Sequence, residues 1–127
     1  MGDSTIEQKL NFENFIFENL NYTVVSKLTF NEYKSYVYLF FSKLNEFKLK
    51  GLQKNDVESF VKNHYSNVMS MADENDIIFE RRFTSITEEL IEFCSDPFFW
   101  NTDLHVYMKK WDKLFDSKWF KVADFRG

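Results

Sequence analysis

Chain breakers are almost missing from this sequence. Three glycines and one proline occur in 127 residues, and only Gly51 and Pro97 punctuate the interior. An all-β chain needs frequent turns and draws Gly, Pro, Asn and Asp into them. A chain without that punctuation is left with long helices. The apolar residues fit this, because they are large: sixteen Phe, six Tyr and three Trp stand against two Ala. Each buried aromatic contributes about 150–250 Å² of contact surface. A chain of this length forms one domain whose core needs neither a disulfide nor a metal. The expectation is therefore an all-α fold, a compact bundle of about five helices with an aromatic-rich core, in one domain spanning 1–127.

Hydrophobic spacing places the helices. The first runs from about Ser4 to Leu20, with Ile6, Leu10, Phe12, Ile16, Phe17 and Leu20 on one broad face. The second runs from Thr29 to about Lys50. Thr29 and Glu32 have capping-box spacing at its start, and Gly51 is placed to end it. Its middle, Tyr36 to Phe41, is apolar all round and so reads as central. The third runs from Asn55 to Ala72, with Asn55 and Glu58 spaced as a second capping box and Val57, Phe60, Val61, Val68 and Met71 on one face. The fourth runs from Asn75 to Cys94 with a four-and-three seam of Phe79, Phe83, Ile86, Leu90 and Phe93. The fifth starts at Asp96-Pro97, or at Thr102 after a kink, and ends near Asp116. Its stripe is Leu104, Tyr107, Met108, Trp111, Leu114 and Phe115. The alternative is α+β, with a two-stranded pairing of 22–25 and 119–123.

Much chemistry is missing. There is no Gly-rich phosphate loop, no HExxH, no CxxC and no GxSxG elbow. No metal, cofactor or catalytic residue is assigned, and the expectation is a protein that is not an enzyme. A lone Cys94 suits a reducing compartment. The chain lacks a signal-peptide pattern and an uninterrupted apolar run of about 18 residues. It is expected in the cytoplasm and off the membrane. Richness in Phe, Asn, Lys and Tyr points to AT-rich codons, hence a bacterial or phage source.

Two polar residues sit where apolar ones belong. His64 lies on the apolar face of the third helix, and Glu13 on that of the first. The plain reading is a buried neutral histidine and a glutamate reaching out to water. The sharper one is a buried Glu13–His64 pair. The pair Arg81-Arg82 reads as solvated.

Charge carries the functional expectation. Net charge is −4, and from Met71 to Asp96 eight acidic residues face two arginines. Like charges gathered this way repel and do little for stability. They suit a surface that meets a basic protein, such as a toxin or nuclease. Toxin-immunity proteins and phage-encoded inhibitors act by such contact; the analogy is one of size and charge. The expected partner-binding residues are Asp76, Glu80, Glu88, Glu89, Glu92 and Asp96, with Phe99 and Trp100 as aromatic anchors unless the run Phe98-Phe99-Trp100 instead plugs a junction between helices. An alternative is a nucleic-acid-associated regulator using Lys109, Lys110, Lys113, Lys118 and Lys121 with Trp111 and Trp119. A further alternative is a cofactor-free enzyme using His64 and carboxylates.

Overall fold

The structure, a computed structural model, describes residues 2–91 and 98–116. Among them the fold is all-α. The helices are α1 Gly2–Asn19, α2 Tyr22–Val25, α3 Phe30–Leu49, α4 Lys54–Met71, α5 Ile77–Thr87 and α6 Leu104–Asp116, with a 3₁₀ turn at Phe98–Asn101. Residues 22–25, the first half of the alternative sheet, are thus the short helix α2, and 119–123 lie outside the described residues. No described helix is long and apolar enough to cross a membrane.

The boundaries follow local chemistry. At the start of α3 the Thr29 side chain accepts from the Glu32 amide and Glu32 accepts from the Thr29 amide, which completes the expected capping box. At its end Gly51 has φ +111°, a backbone conformation that costs glycine little. The Leu52 amide then bonds the Phe47 carbonyl, and the Gly51 amide the Lys48 carbonyl. That is a Schellman ending, with Leu52 and Phe47 both buried to seal it.

The second capping box does not form. Helix α4 begins at Lys54 with Gln53 as N-cap, so Asn55 and Glu58 lie inside the helix. The first carboxylate positioned for α5 is Asp76, whose Oδ1 accepts from the Phe79 amide. That helix ends at Thr87, short of Cys94, which lies outside the described residues. Thr87 Oγ1 bonds back to the carbonyls of Phe83 and Thr84, and the chain leaves the helix in a turn. The last helix starts later than Asp96-Pro97: Asp103 Oδ1 accepts from the Val106 amide at the start of α6.

Helix α3 is the central element and packs on both α1 and α6. Phe15 of α1 reaches Phe40 and Phe47. Towards α6, Phe41 meets Phe99, Tyr107 and Trp111 with ring centroids 5.1–5.7 Å apart. Such tilted and edge-on contacts are the favoured geometry for aromatic pairs. On α3, Tyr33, Val37, Phe40, Phe41, Leu44 and Phe47 are buried, whereas Leu39 is 71% exposed. On α1 only half of the expected face is covered. Phe12, Ile16 and Leu20 are fully buried, but Ile6, Leu10 and Phe17 remain more than half exposed. Met71, expected on the α4 core face, is 83% exposed, because it closes the last turn at the bundle's corner.

Two basic side chains hold the short elements. Arg82 is 1% exposed, which corrects the solvated reading of Arg81-Arg82. Its Nη1 donates to the carbonyls of Val25 and Leu28 at 3.0 and 2.7 Å, and its guanidinium lies over the Tyr33 ring. Val25 ends α2, where carbonyls lack helical partners and carry partial negative charge. Tyr33 Oη donates in turn to the Arg82 carbonyl. Lys48 does the same for the 3₁₀ turn: its Nζ donates to the carbonyls of Phe99 and Thr102 and sits 4.8 Å above the Phe99 ring centroid. Burial lowers the pKa of Lys48, and the Asp103 charge opposes that shift.

Arg82→Met should cost about 2–4 kcal/mol, because it removes the side-chain donor to the Leu28 carbonyl and leaves that of Val25 with only a long bond from the Leu28 amide. Thr29→Ala should cost about 1 kcal/mol through loss of a cap. Denaturant midpoints measured for both variants check the order; an Arg82→Met midpoint equal to wild type would refute the clamp.

Candidate functional site

The acidic stretch divides into carboxylates used inside the fold and carboxylates left in water. Asp76 is half-buried and caps α5, and its other oxygen accepts from Tyr22 Oη at 3.0 Å. Glu89 falls in the turn after α5 and points back at α6. It accepts from Tyr107 Oη and from Lys110 Nζ, and Tyr107 Oη itself accepts from Trp111 Nε1 at 2.9 Å. This is a chain of polar groups set into the aromatic core. Glu80 and Glu88 stay exposed. Glu92 and Asp96 lie outside the described residues. Phe99 is fully buried against Phe41 and Tyr107, so it is a core residue and not a surface anchor. Trp100 is half-buried beside Phe99 and within reach of Lys48.

A different surface emerges at the corner joining α4 to α5. Met71 is 83% exposed and Ile77 is 59% exposed. Asp73 and Glu74, in the connection between them, are also exposed. Glu80 lies one turn beyond Ile77, which makes the two neighbours on the α5 surface. The stretch from Met71 to Glu80 thus carries two exposed large apolar side chains and three exposed carboxylates. The α4 periodicity assigned Met71 to the core, and its position in the final turn was the sequence signal against that assignment. Ile77 carried no signal beyond its place directly after the acidic run.

Glu88 rims a cleft of about 370 Å³ between α4 and α5 that Lys62 and Tyr65 also line. On α6, Val106 and Leu114 line an open groove of about 680 Å³ together with Lys109, Lys110 and Lys113. Lys110 is tied to Glu89, whereas Lys109 and Lys113 are exposed.

His64 is buried, as its place on α4 required. Its Nε2 meets the carbonyl of Leu20 just past the end of α1, and Phe17, Phe60 and Phe83 surround the ring. Glu13 is half-buried on α1, and no hydrogen bond or ion pair joins it to His64 among the described residues. Also among the described residues, no three His, Cys, Asp or Glu side chains gather closely enough to hold a metal ion.

The chain matches no family model, no curated protein and no solved structure. The geometry defines a helical domain with an acid-rimmed apolar corner.

Burial raises the pKa of Tyr107, with the Glu89 charge adding to the shift, and burial alone raises that of Tyr36. A phenol whose pKa is raised by folding stays protonated in the fold while the unfolded chain ionises. Stability is then full below the ordinary tyrosine pKa of about 10 and falls as pH rises above it. Of the six tyrosines, Tyr36 and Tyr107 should ionise only as the domain unfolds. Alkaline titration of phenolate absorbance alongside circular dichroism tests this; smooth ionisation of all six below the unfolding pH would contradict it.

Proposed function

We propose that this is a small, non-enzymatic binding protein that covers a basic partner protein, as toxin-immunity proteins and phage-encoded inhibitors do. One observation carries the reading: exposed Met71 and Ile77 share the stretch that joins α4 to α5 with exposed Asp73, Glu74 and Glu80. Apolar side chains that lose water on docking supply affinity at the centre of an interface, where a few residues dominate. Carboxylates at the rim speed the encounter with a positively charged face and disfavour acidic partners. The net charge of −4 adds to that steering. The partner is a protein with a lysine- or arginine-rich surface around an apolar pocket.

A triple variant, Glu74→Lys with Glu80→Lys and Glu88→Lys, tests the reading. All three side chains are exposed, so the thermal midpoint should stay near wild type. Wild type, used as bait in a lysate of its own source, should retain a basic protein at low salt and release it at high salt. The variant should lose that protein by tenfold or more, on the order of 1.4 kcal/mol. Undiminished retention by the folded variant would sink the acidic-corner model. Glu89→Lys is the contrasting change: it places a cation beside Lys110 and should lower stability.

A second reading rests on the groove edged by Lys109, Lys110 and Lys113 above Val106 and Leu114. Lysines beside an apolar floor suit a phosphate backbone with stacked bases. On that reading the protein is a nucleic-acid-associated regulator. It predicts salt-dependent retention on single-stranded DNA that Lys109→Glu with Lys113→Glu abolishes; retention unchanged by that pair removes the reading.

A further inference from the structure

Helix α1 carries two packing stripes; the fold buries one and touches the other through Phe17, whose ring meets Phe60 and His64 edge-on. Phe12, Ile16 and Leu20 face the core and are fully buried. Ile6, Leu10 and Phe17 are 59%, 55% and 57% exposed. At 100° per residue these three fall within about 40° of one another. With half-buried Glu13 they run 6, 10, 13, 17, in steps of four, three and four. That is the period by which one helix packs along another. Single exposed apolar residues are ordinary, but three large ones in a heptad register form a seam.

We propose that this seam docks on the same seam of a second copy of the chain, with the two α1 helices antiparallel. The sequence of the seam favours itself as partner in that orientation. A two-fold axis midway between Leu10 and Glu13 sets Ile6 against Phe17 of the second copy, at both ends. The same axis brings exposed Lys9 beside Glu13 of the second copy, and symmetry makes that contact twice. A parallel pairing would stack Glu13 on Glu13 and lose the attraction. Asn14, also exposed and next to the seam, adds no repulsion. An 18-residue helix spans about 27 Å. One helix pair of that length lies at the low end of interface sizes, so the dimer is reversible at micromolar concentrations. The α1 seam shares no residue with the α4–α5 corner, and the dimer stands or falls independently of the acidic-corner reading.

Sedimentation velocity on the full chain over a concentration series reads the association, with circular dichroism melts confirming the fold of each variant. Wild type should shift from monomer to dimer as concentration rises. Leu10→Glu should remain a monomer with an unchanged melt. Lys9→Glu and Glu13→Lys should each weaken the dimer roughly tenfold, by setting like charges across the axis. An equal mixture of those two variants should associate as wild type does, because each cation then meets an anion. A wild type that is monomeric throughout overturns the proposal, as does a Leu10→Glu dimer. Failure of the mixture to recover association overturns the antiparallel arrangement and with it the proposal. A monomeric wild type that loses capture of another protein on Leu10→Glu assigns the seam to that protein, not to a second copy.

Discussion

A guanidinium withdrawn from water must find acceptors, and the position where Arg82 finds them governs how this bundle closes. The short helix α2 and the turn after it end in carbonyls that no helical amide satisfies. Arg82, projecting from α5, supplies donors to Val25 and Leu28 at once. Burying a cation is costly unless it is well bonded. Here the cost is offset by carbonyl dipoles on one side and the Tyr33 ring face on another. The link also fixes geometry, since α2, α3 and α5 cannot move apart without stranding the charge. Tyr22 to Asp76 ties α2 to the start of the same helix.

Lys48 repeats the device at the other end of α3, fastening the 3₁₀ turn that delivers Phe99 into the core. Between these anchors, rings such as Phe40, Phe41, Phe99, Tyr107 and Trp111 interleave with aliphatic residues such as Val37 and Leu44 in the buried core. Aromatic side chains have few rotamers and preferred mutual angles, so a core of this kind sets direction as well as volume. The polar chain from Trp111 through Tyr107 to Glu89 gives its buried donors partners. It also turns Glu89 from the surface towards α6, while its neighbour Glu88 stays exposed.

This division explains how the surface comes to have character. Carboxylates that cap helices or accept from tyrosines belong to the fold. Others, among them Glu74, Glu80 and Glu88, stay in water. The apolar seam of α1 is a separate feature on a separate helix. It is the outer half of a stripe too wide for one neighbour to cover.

Much of the fold was legible in the sequence. The scarcity of Gly and Pro argued against an all-β fold, and Thr29, Glu32 and Gly51 bounded the central helix because capping and left-handed turns are local chemistry. The buried stripe of α6 and the burial of His64 followed from period alone. Periodicity could not say how much of an apolar face its neighbours would reach, so Ile6, Leu10, Phe17 and Met71 were placed inside. Nor could it see that Arg82 would meet Val25 and Leu28, or that Glu89 would turn inward to Tyr107. Each of those outcomes depends on groups far apart in the chain arriving within about 3 Å of one another, the range of a hydrogen bond. The sequence by itself determined the helices and their inward faces, because those rest on neighbours within a turn or two. Only the tertiary structure decided which charges bond inside the fold and which stay in water, because that rests on where distant helices come to lie.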